Sequence, residues 1–313
     1  MGRDLGIEDM GGCGMSEAVD TAEGMVAFAA DDHLGETPVW SVAEQALYWV
    51  NCEEPPRLRC WHPASGETRD WPMPERIGGF VLRANGGPVV AIASGIYDLD
   101  IESGGLTLRA KSPLDPAVRL HESGCDRSGR LWIGGYDGRL SFENRDARGA
   151  ALCRLERNRL VPVVTDMGLT NSLAFSPDGR TIYFSDSTER VVRQADLDPA
   201  TGALGNPRVF IELQDGEFVD GAAVDVEGGY WAAMVLGGEV RRYRPDGTVD
   251  HTIKLPFSDP TKPAFGGPDL RTLYITSARL EFPGHAPSGD NGTLYALRPG
   301  IAGLPEPMFD ETL

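Results

Sequence analysis

The sequence predicts an all-β protein, a six-bladed β-propeller, and three observations carry that reading. Strand-like segments with an aromatic or β-branched heart recur about every 40 to 50 residues, a spacing typical of propeller blades. Glycine- and proline-rich turns punctuate them, drawing on 39 glycines and 23 prolines among 313 residues. No segment carries the period of an amphipathic helix.

The first strands of the repeating units read, in order, Leu47-Tyr48-Trp49-Val50, Val89-Val90-Ala91-Ile92, Leu131-Trp132-Ile133, Ile182-Tyr183-Phe184, Tyr230-Trp231-Ala232 and Leu273-Tyr274-Ile275. Several follow a turn of one type: Asp126-Arg127-Ser128-Gly129, Pro177-Asp178-Gly179 and Asp225-Val226-Glu227-Gly228. Each places glycine where a positive φ is cheap. Partner strands end in turns such as His62-Pro63-Ala64-Ser65-Gly66, Asp198-Pro199-Ala200-Thr201-Gly202 and Arg244-Pro245-Asp246-Gly247. Six such units fit between Met25 and Leu313. Radial repetition of small sheets protects strand edges, which favours a propeller over the alternative of paired β-sandwiches. The Trp-Asp and Gly-His signals of WD40 repeats are missing. The last blade is expected to close by pairing Met25–Ala29 with strands near the C-terminus. Residues 1–24 lack the basic start and apolar stretch of a signal peptide and read as a flexible N-terminal tail. Residues 25–313 read as one propeller domain.

Composition narrows the partners. The formal net charge is −18, from 47 acidic and 29 basic residues. Such a surface repels phosphate backbones and anionic lipid, so neither nucleic acid nor a membrane is an expected partner. It suits a soluble enzyme with a small-molecule substrate, or cation binding if carboxylates converge. The five cysteines, Cys13, Cys52, Cys60, Cys125 and Cys153, contain no C-x-x-C pair. They read as free thiols in a reducing compartment, which points to a cytoplasmic location. No run approaches the about 18 apolar residues of a membrane span.

The most informative stretch is Thr261 to Ala278, a Phe265-Gly266-Gly267-Pro268-Asp269-Leu270 turn feeding an alternating strand. It closes an ordered set of motifs: Leu34-Gly35-Glu36-Thr37-Pro38-Val39-Trp40, Leu47-Tyr48-Trp49-Val50-Asn51, and Trp61-His62-Pro63-Ala64-Ser65-Gly66-Glu67-Thr68. Cys125-Asp126 then leads into Gly129-Arg130-Leu131-Trp132. It is followed by Thr170-Asn171-Ser172-Leu173-Ala174-Phe175-Ser176-Pro177-Asp178-Gly179, and Asp220-Gly221 precedes Tyr230-Trp231. This set resembles the SMP-30/gluconolactonase/luciferin-regenerating-enzyme (regucalcin-like) family over about Met25 to Met308. Ser-Pro-Asp-Gly alone is weak evidence; the order is specific.

The resemblance implies one divalent metal ion in a central funnel, held by Glu36, Asn171 and Asp220. Beside it stands a physical argument. Each residue lies just before or after an inner strand of a different blade, within reach of the axis. Two carboxylates and an amide oxygen form a hard oxygen set suited to Ca²⁺, Mg²⁺, Mn²⁺ or Zn²⁺. Three ligands leave positions open for water and substrate. Spacing alone favours reading each of the three as a turn or loop residue; the ligand set is what the resemblance implies.

The chain departs from the family at Arg119-Leu120-His121-Glu122, where Arg-Pro-Asn-Asp is usual. Arg119 is kept and can orient a substrate through two hydrogen bonds. His121 stands open as a fourth metal ligand, which would favour Zn²⁺, Mn²⁺ or Fe²⁺, as a general base, or as a substrate contact. Glu122 and Tyr136 are further candidate substrate contacts. Asn51, Ser172, Gly135 and Met234 also differ from the family's common residues, so the pocket wall is altered. His33, His62, His251 and His285 show no metal-ligand spacing, and Cys125 has no evident activating partner. The reading is a metal-dependent lactonase-type hydrolase acting on a sugar lactone or related cyclic ester, with Asp220, Glu36 or His121 handling the proton. The alternatives are the same pocket acting on a non-sugar metabolite, a non-catalytic calcium or metabolite binder, or a scaffold for protein partners.

Overall fold

The aromatic strands of each repeat do not line the axis. In the computed structural model, which describes residues 19–20, 23–84, 87–141 and 144–313, they form the second strand of each of six blades, every one a four-stranded antiparallel sheet and one of them extended by a short fifth strand. The innermost strands are Gly35–Ser41, Ile77–Val81, Val118–Cys125, Thr170–Phe175, Phe218–Val224 and Pro260–Gly266. These six pack on one another in a ring, each against the next. They are shorter on aromatics and richer in Gly, Pro and polar residues, which is why their strand character is faint in the sequence. The candidate ligands therefore sit on the inner strands themselves.

We number the blades 1 to 6 by these inner strands. Blade 6 consists of Pro260–Gly266, Thr272–Ser277, Leu294–Leu297 and, outermost, Met25–Phe28. Met25 pairs with Ala296 and Val26 with Tyr295, so the ring is closed by joining the two ends of the chain. Val19–Asp20 adds a short parallel pairing to the outer edge of blade 5. The rest of the 1–24 segment read as a tail lies outside the described residues, except Glu23 and Gly24, and so does Cys13. The other four cysteines are free and buried. Among the described residues no helix is long and apolar enough to cross a membrane.

Burial between flat faces holds the ring together. Each gap between neighbouring blades is filled by an apolar cluster. Tyr48, Trp71 and Phe80 fill the gap between blades 1 and 2; Tyr183, Phe210 and Tyr230 fill that between blades 4 and 5; Trp40, Trp49 and Tyr274 fill that between blades 6 and 1. A blade has two apolar faces because both face a neighbour, as in sheets covered on both sides.

Three alternate blades share a buried polar device. In blade 1, Trp49 Nε1 donates to Asp32 at 2.8 Å and Arg59 donates to the same carboxylate at 2.7 Å. In blade 3, Trp132 Nε1 and Arg130 reach Asp126 at 3.1 and 3.4 Å. In blade 5, Trp231 Nε1 and Arg242 reach Asp225 at 2.8 and 2.7 Å. The indole proton and the guanidinium charge both need a buried acceptor, and one aspartate supplies it.

After Leu297 the chain crosses the lower face of the ring. Phe309 N donates to Leu82 O and Asp310 N to Gly129 O, so the segment runs from blade 6 to blades 2 and 3 across the axis.

Candidate active site

Each inner strand is broken by one register shift against its neighbour: between Glu36 and Val39, Ile77 and Gly79, His121 and Ser123, Asn171 and Ala174, Val219 and Ala222, and Pro260 and Pro263. A bulge inserts a residue and re-aims its side chain. Three of the bulges force a non-glycine residue into left-handed backbone, with φ of 47° at Thr37, 57° at Glu122 and 65° at Ser172. Such strain costs about 1–3 kcal/mol per residue and collects at functional sites. Here the three strained positions are the immediate chain neighbours of Glu36, His121 and Asn171.

Glu36 is 1% exposed. Its Oε2 accepts the Thr37 N–H at 2.9 Å, and its Oε1 is buried without a partner. Asn171, on blade 4, accepts at Oδ1 from His121 Nε2 at 3.0 Å and donates from Nδ2 to Ser187 Oγ at 2.9 Å. Asp220, on blade 5, is half-buried. Burial, reinforced by the nearby Glu36 and Glu122 carboxylates, pushes its carboxyl well above the usual range. Burial and Glu122 push Glu36 up to about 7. These shifts mark carboxylates that share one enclosed space with too little positive charge.

Glu122 is fully buried and engaged within the protein. Its Oε1 accepts from Lys262 Nζ at 2.8 Å and from Leu173 N at 3.1 Å, while Oε2 has no partner. Blades 3 and 6 face each other, so this ion pair spans the channel. The stem of Lys262 lies over Gly221, where an added Cβ would come within 2.5 Å of its Cγ. Gly221 thus follows Asp220 because a larger residue would block the lysine. Beneath the bridge is a cavity of about 60 Å³, lined by Phe80, Leu173, Phe175, Phe265 and Leu304 among others.

His121 has both ring nitrogens occupied. Arg76 donates to Nδ1 at 3.2 Å, and Nε2 faces Asn171 Oδ1. Burial, with the Arg76 charge, lowers its pKa to about 3. Tyr136 stands edge-on to the imidazole at 6.5 Å, with the Arg76 guanidinium 5.8 Å from its ring centre. Arg119 pairs with Tyr136 across the strands and is exposed at the rim. Its guanidinium makes no hydrogen bond or ion pair among the described residues.

A divalent cation fits this donor set. Among the described residues no three His, Cys, Asp or Glu side chains form a metal cluster by themselves; the Asn171 amide oxygen would be the third donor. The unpartnered, buried Glu36 Oε1 and the raised carboxyls of Glu36, beside Glu122, and of Asp220, beside Glu36 and Glu122, describe a space short of positive charge. Lys262 offsets one of three carboxylates, leaving two.

Sequence reading missed Arg76 and Lys262. Arg76 immediately precedes inner strand Ile77–Val81, a position that could have flagged it. Lys262 is the one cation between Pro260 and Pro263, yet nothing in its own segment shows a carboxylate on the opposite blade.

Ser172 occupies a left-handed position that glycine would take without strain. Its hydroxyl donates to Asp220 O at 2.8 Å and receives Ser185 Oγ at 3.0 Å, tying the Asn171 bulge to the Asp220 bulge. Ser172→Ala keeps the strain and loses these bonds, and should cost about 1–2 kcal/mol. Ser172→Gly relieves the strain and should cost less. Denaturant midpoints placing Ala above Gly would refute this account.

Residues 34–279 match the pattern of the SMP-30/Gluconolactonase/LRE-like region. The chain is 39% identical over 282 residues to the 6-deoxy-6-sulfogluconolactonase of Pseudomonas putida, covering 88% of this chain and 94% of that protein. It is 34% identical over 288 residues to the L-arabinolactonase of Azospirillum brasilense, covering 89% and 93%. Among solved structures, a calcium-binding protein, regucalcin, from Agrobacterium tumefaciens superposes with a TM-score of 0.84 at 28% identity, covering 93% of this chain and 99% of that one.

Proposed function

This chain belongs to the SMP-30/gluconolactonase/LRE-like family, and from that premise we propose that it hydrolyses a small lactone, with a sugar lactone as the favoured substrate. The observation that carries the proposal is the pair of enclosed carboxylates, Glu36 and Asp220, raised in proton affinity at two convergent bulges. Relatives described as lactonases support the reaction class. Glu36, Asn171 and Asp220 would hold one divalent ion. When bound, that ion supplies Lewis-acid stabilisation of the charge that builds on a lactone carbonyl oxygen.

The protein's own groups do the rest. Asp220 is more open to the funnel than Glu36, and so is the carboxylate that takes a proton from the attacking water. The ring C–O bond breaks as the new C–O bond forms, and that proton passes to the departing ring oxygen, giving the open hydroxy acid. Arg119, with its guanidinium unengaged, orients the substrate's oxygens at the rim. His121 is occupied at both nitrogens and acts through Asn171. Tyr136 forms the adjacent wall. The four free, buried cysteines support a reducing, cytoplasmic setting.

The test is metal analysis of the purified protein beside a lactone panel read by acid release. Ring opening of aldonolactones, lost on chelation and restored by one divalent ion, is the expected result. Tight metal binding with no turnover of any lactone would favour the second reading, a binding protein, which the calcium-binding structural relative suggests. Arg119→Ala should lower kcat/KM about ten- to a hundredfold, the worth of a charge-assisted hydrogen bond, with bound metal unchanged. Metal lost in parallel with activity would place Arg119 elsewhere in the mechanism.

A further inference from the structure

We propose that Arg76 is a positioning residue that aims the Asn171 oxygen at the metal ion by fixing which nitrogen of His121 carries the proton. The inference rests on the reading of Asn171 as a ligand and goes beyond it, to a residue that touches neither ion nor substrate.

A guanidinium can only donate hydrogen bonds. Arg76 lies 3.2 Å from His121 Nδ1, so Nδ1 is the acceptor and the ring proton resides on Nε2. That proton points at Asn171 Oδ1, 3.0 Å away. The amide is held at its other end by donation from Nδ2 to Ser187 Oγ at 2.9 Å. An amide oxygen has two lone pairs; one meets His121 and the second is left for a cation. Without Arg76 the proton can move to Nδ1. A bare Nε2 would then repel Oδ1 and favour a turned amide, presenting Nδ2 hydrogens to the ion. Arg76 is itself fixed by donation to Leu120 O at 3.3 Å and by Glu53 at 3.8 Å. Hydrogen bonds that orient a ligand from behind are worth about 10–100-fold in metal affinity.

The sign of the effect separates this role from simple electrostatics. Removing a positive charge beside a cation site should tighten metal binding by Coulomb's law. Loss of the positioning contact should weaken it.

The experiment is calorimetric titration of Ca²⁺, and separately Mn²⁺, into chelator-stripped protein. The parent, Arg76→Met, Arg76→Lys, His121→Leu and Arg76→Met/His121→Leu are compared, each checked for folding by thermal melting without metal. Arg76→Met should bind about 10–100-fold more weakly. Arg76→Lys should stay near the parent, because an ammonium also only donates. His121→Leu should be weakened, and the double variant no weaker than His121→Leu, since the two act through one contact. Unchanged or tighter binding by Arg76→Met overturns the proposal, as does unchanged binding by His121→Leu, which keeps the guanidinium. A parent protein with no saturable binding of either ion overturns the metal reading itself, and the positioning role falls with it.

Discussion

Asp220→Asn should abolish divalent-ion retention and lactone turnover while raising the melting temperature of the metal-free protein at neutral pH. The loss follows from removing one of two charged donors. Lewis-acid assistance is worth several kcal/mol; about 4 kcal/mol corresponds to about a thousandfold in rate. The gain follows from the electrostatics of the metal-free funnel. Burial and the Glu36 and Glu122 charges hold the Asp220 carboxyl well above its ordinary value of 3.8. Its folded-state pKa therefore exceeds its unfolded one. The folded state binds the proton more tightly, so stability is lost as pH rises from about that ordinary value through the raised one. Glu36 adds a similar slope between 4.5 and about 7. Asparagine has no such cost. Chelator-treated parent protein should melt at lower temperature at pH 8 than at pH 5 on this account, and the variant should show a shallower fall. Metal content by emission spectroscopy and melting curves at both pH values check the pair of effects. Unchanged metal content and activity in Asp220→Asn would remove Asp220 from the ligand set.

Asp225→Ala should destabilise the fold by about 3–5 kcal/mol, the cost of leaving a buried charged partner uncompensated. Asp225 is completely buried, and its two oxygens serve four donors. Oδ2 receives Trp231 Nε1 and Arg242 Nε; Oδ1 receives Glu227 N and Gly229 N, both at 2.9 Å. Alanine orphans the indole and both turn amides inside the clusters of blade 5. Arg242 keeps contacts to Asp250 and Glu227, which moves the expected value toward the lower end. Asp225→Asn keeps one acceptor oxygen but turns an NH2 group toward the other pair of donors, so it should recover only part of the loss. Urea midpoints measure both. A loss under about 1 kcal/mol for the alanine variant would mean that water replaces the carboxylate.

The cost of that triad and the gain at Asp220 have opposite signs for one reason. Asp225 faces a guanidinium and an indole donor, while Asp220 faces two other carboxylates. Both residues are followed closely by glycine in the chain, Asp220 by Gly221 and Asp225 by Gly228. Nothing local separates them. What separates them is which strands lie across the ring.

The sequence by itself determined the blade count, the all-β class and the pairing of the two chain ends. Those follow from local chemistry: glycine where φ is positive, alternation of apolar side chains, and aromatic second strands repeated at one spacing. Met25 to Ala29 could be placed in the last blade because a radial array leaves one sheet a strand short. The ordered motifs also singled out Glu36, Asn171 and Asp220 as candidates. Only the tertiary structure decided how their surroundings are arranged. The inner strands are bulged and poor in aromatics, so their side chains do not follow the two-residue period that makes a strand legible. Glu122 reads as a pocket residue beside Arg119, but a lysine 140 positions later crosses the axis to meet it. His121 reads as a metal ligand, a general base or a substrate contact, but Arg76 and Asn171, 45 and 50 positions away, meet both of its nitrogens. Charge pairing across a closed ring joins residues from opposite blades. It depends on distances through space that no spacing along the chain encodes.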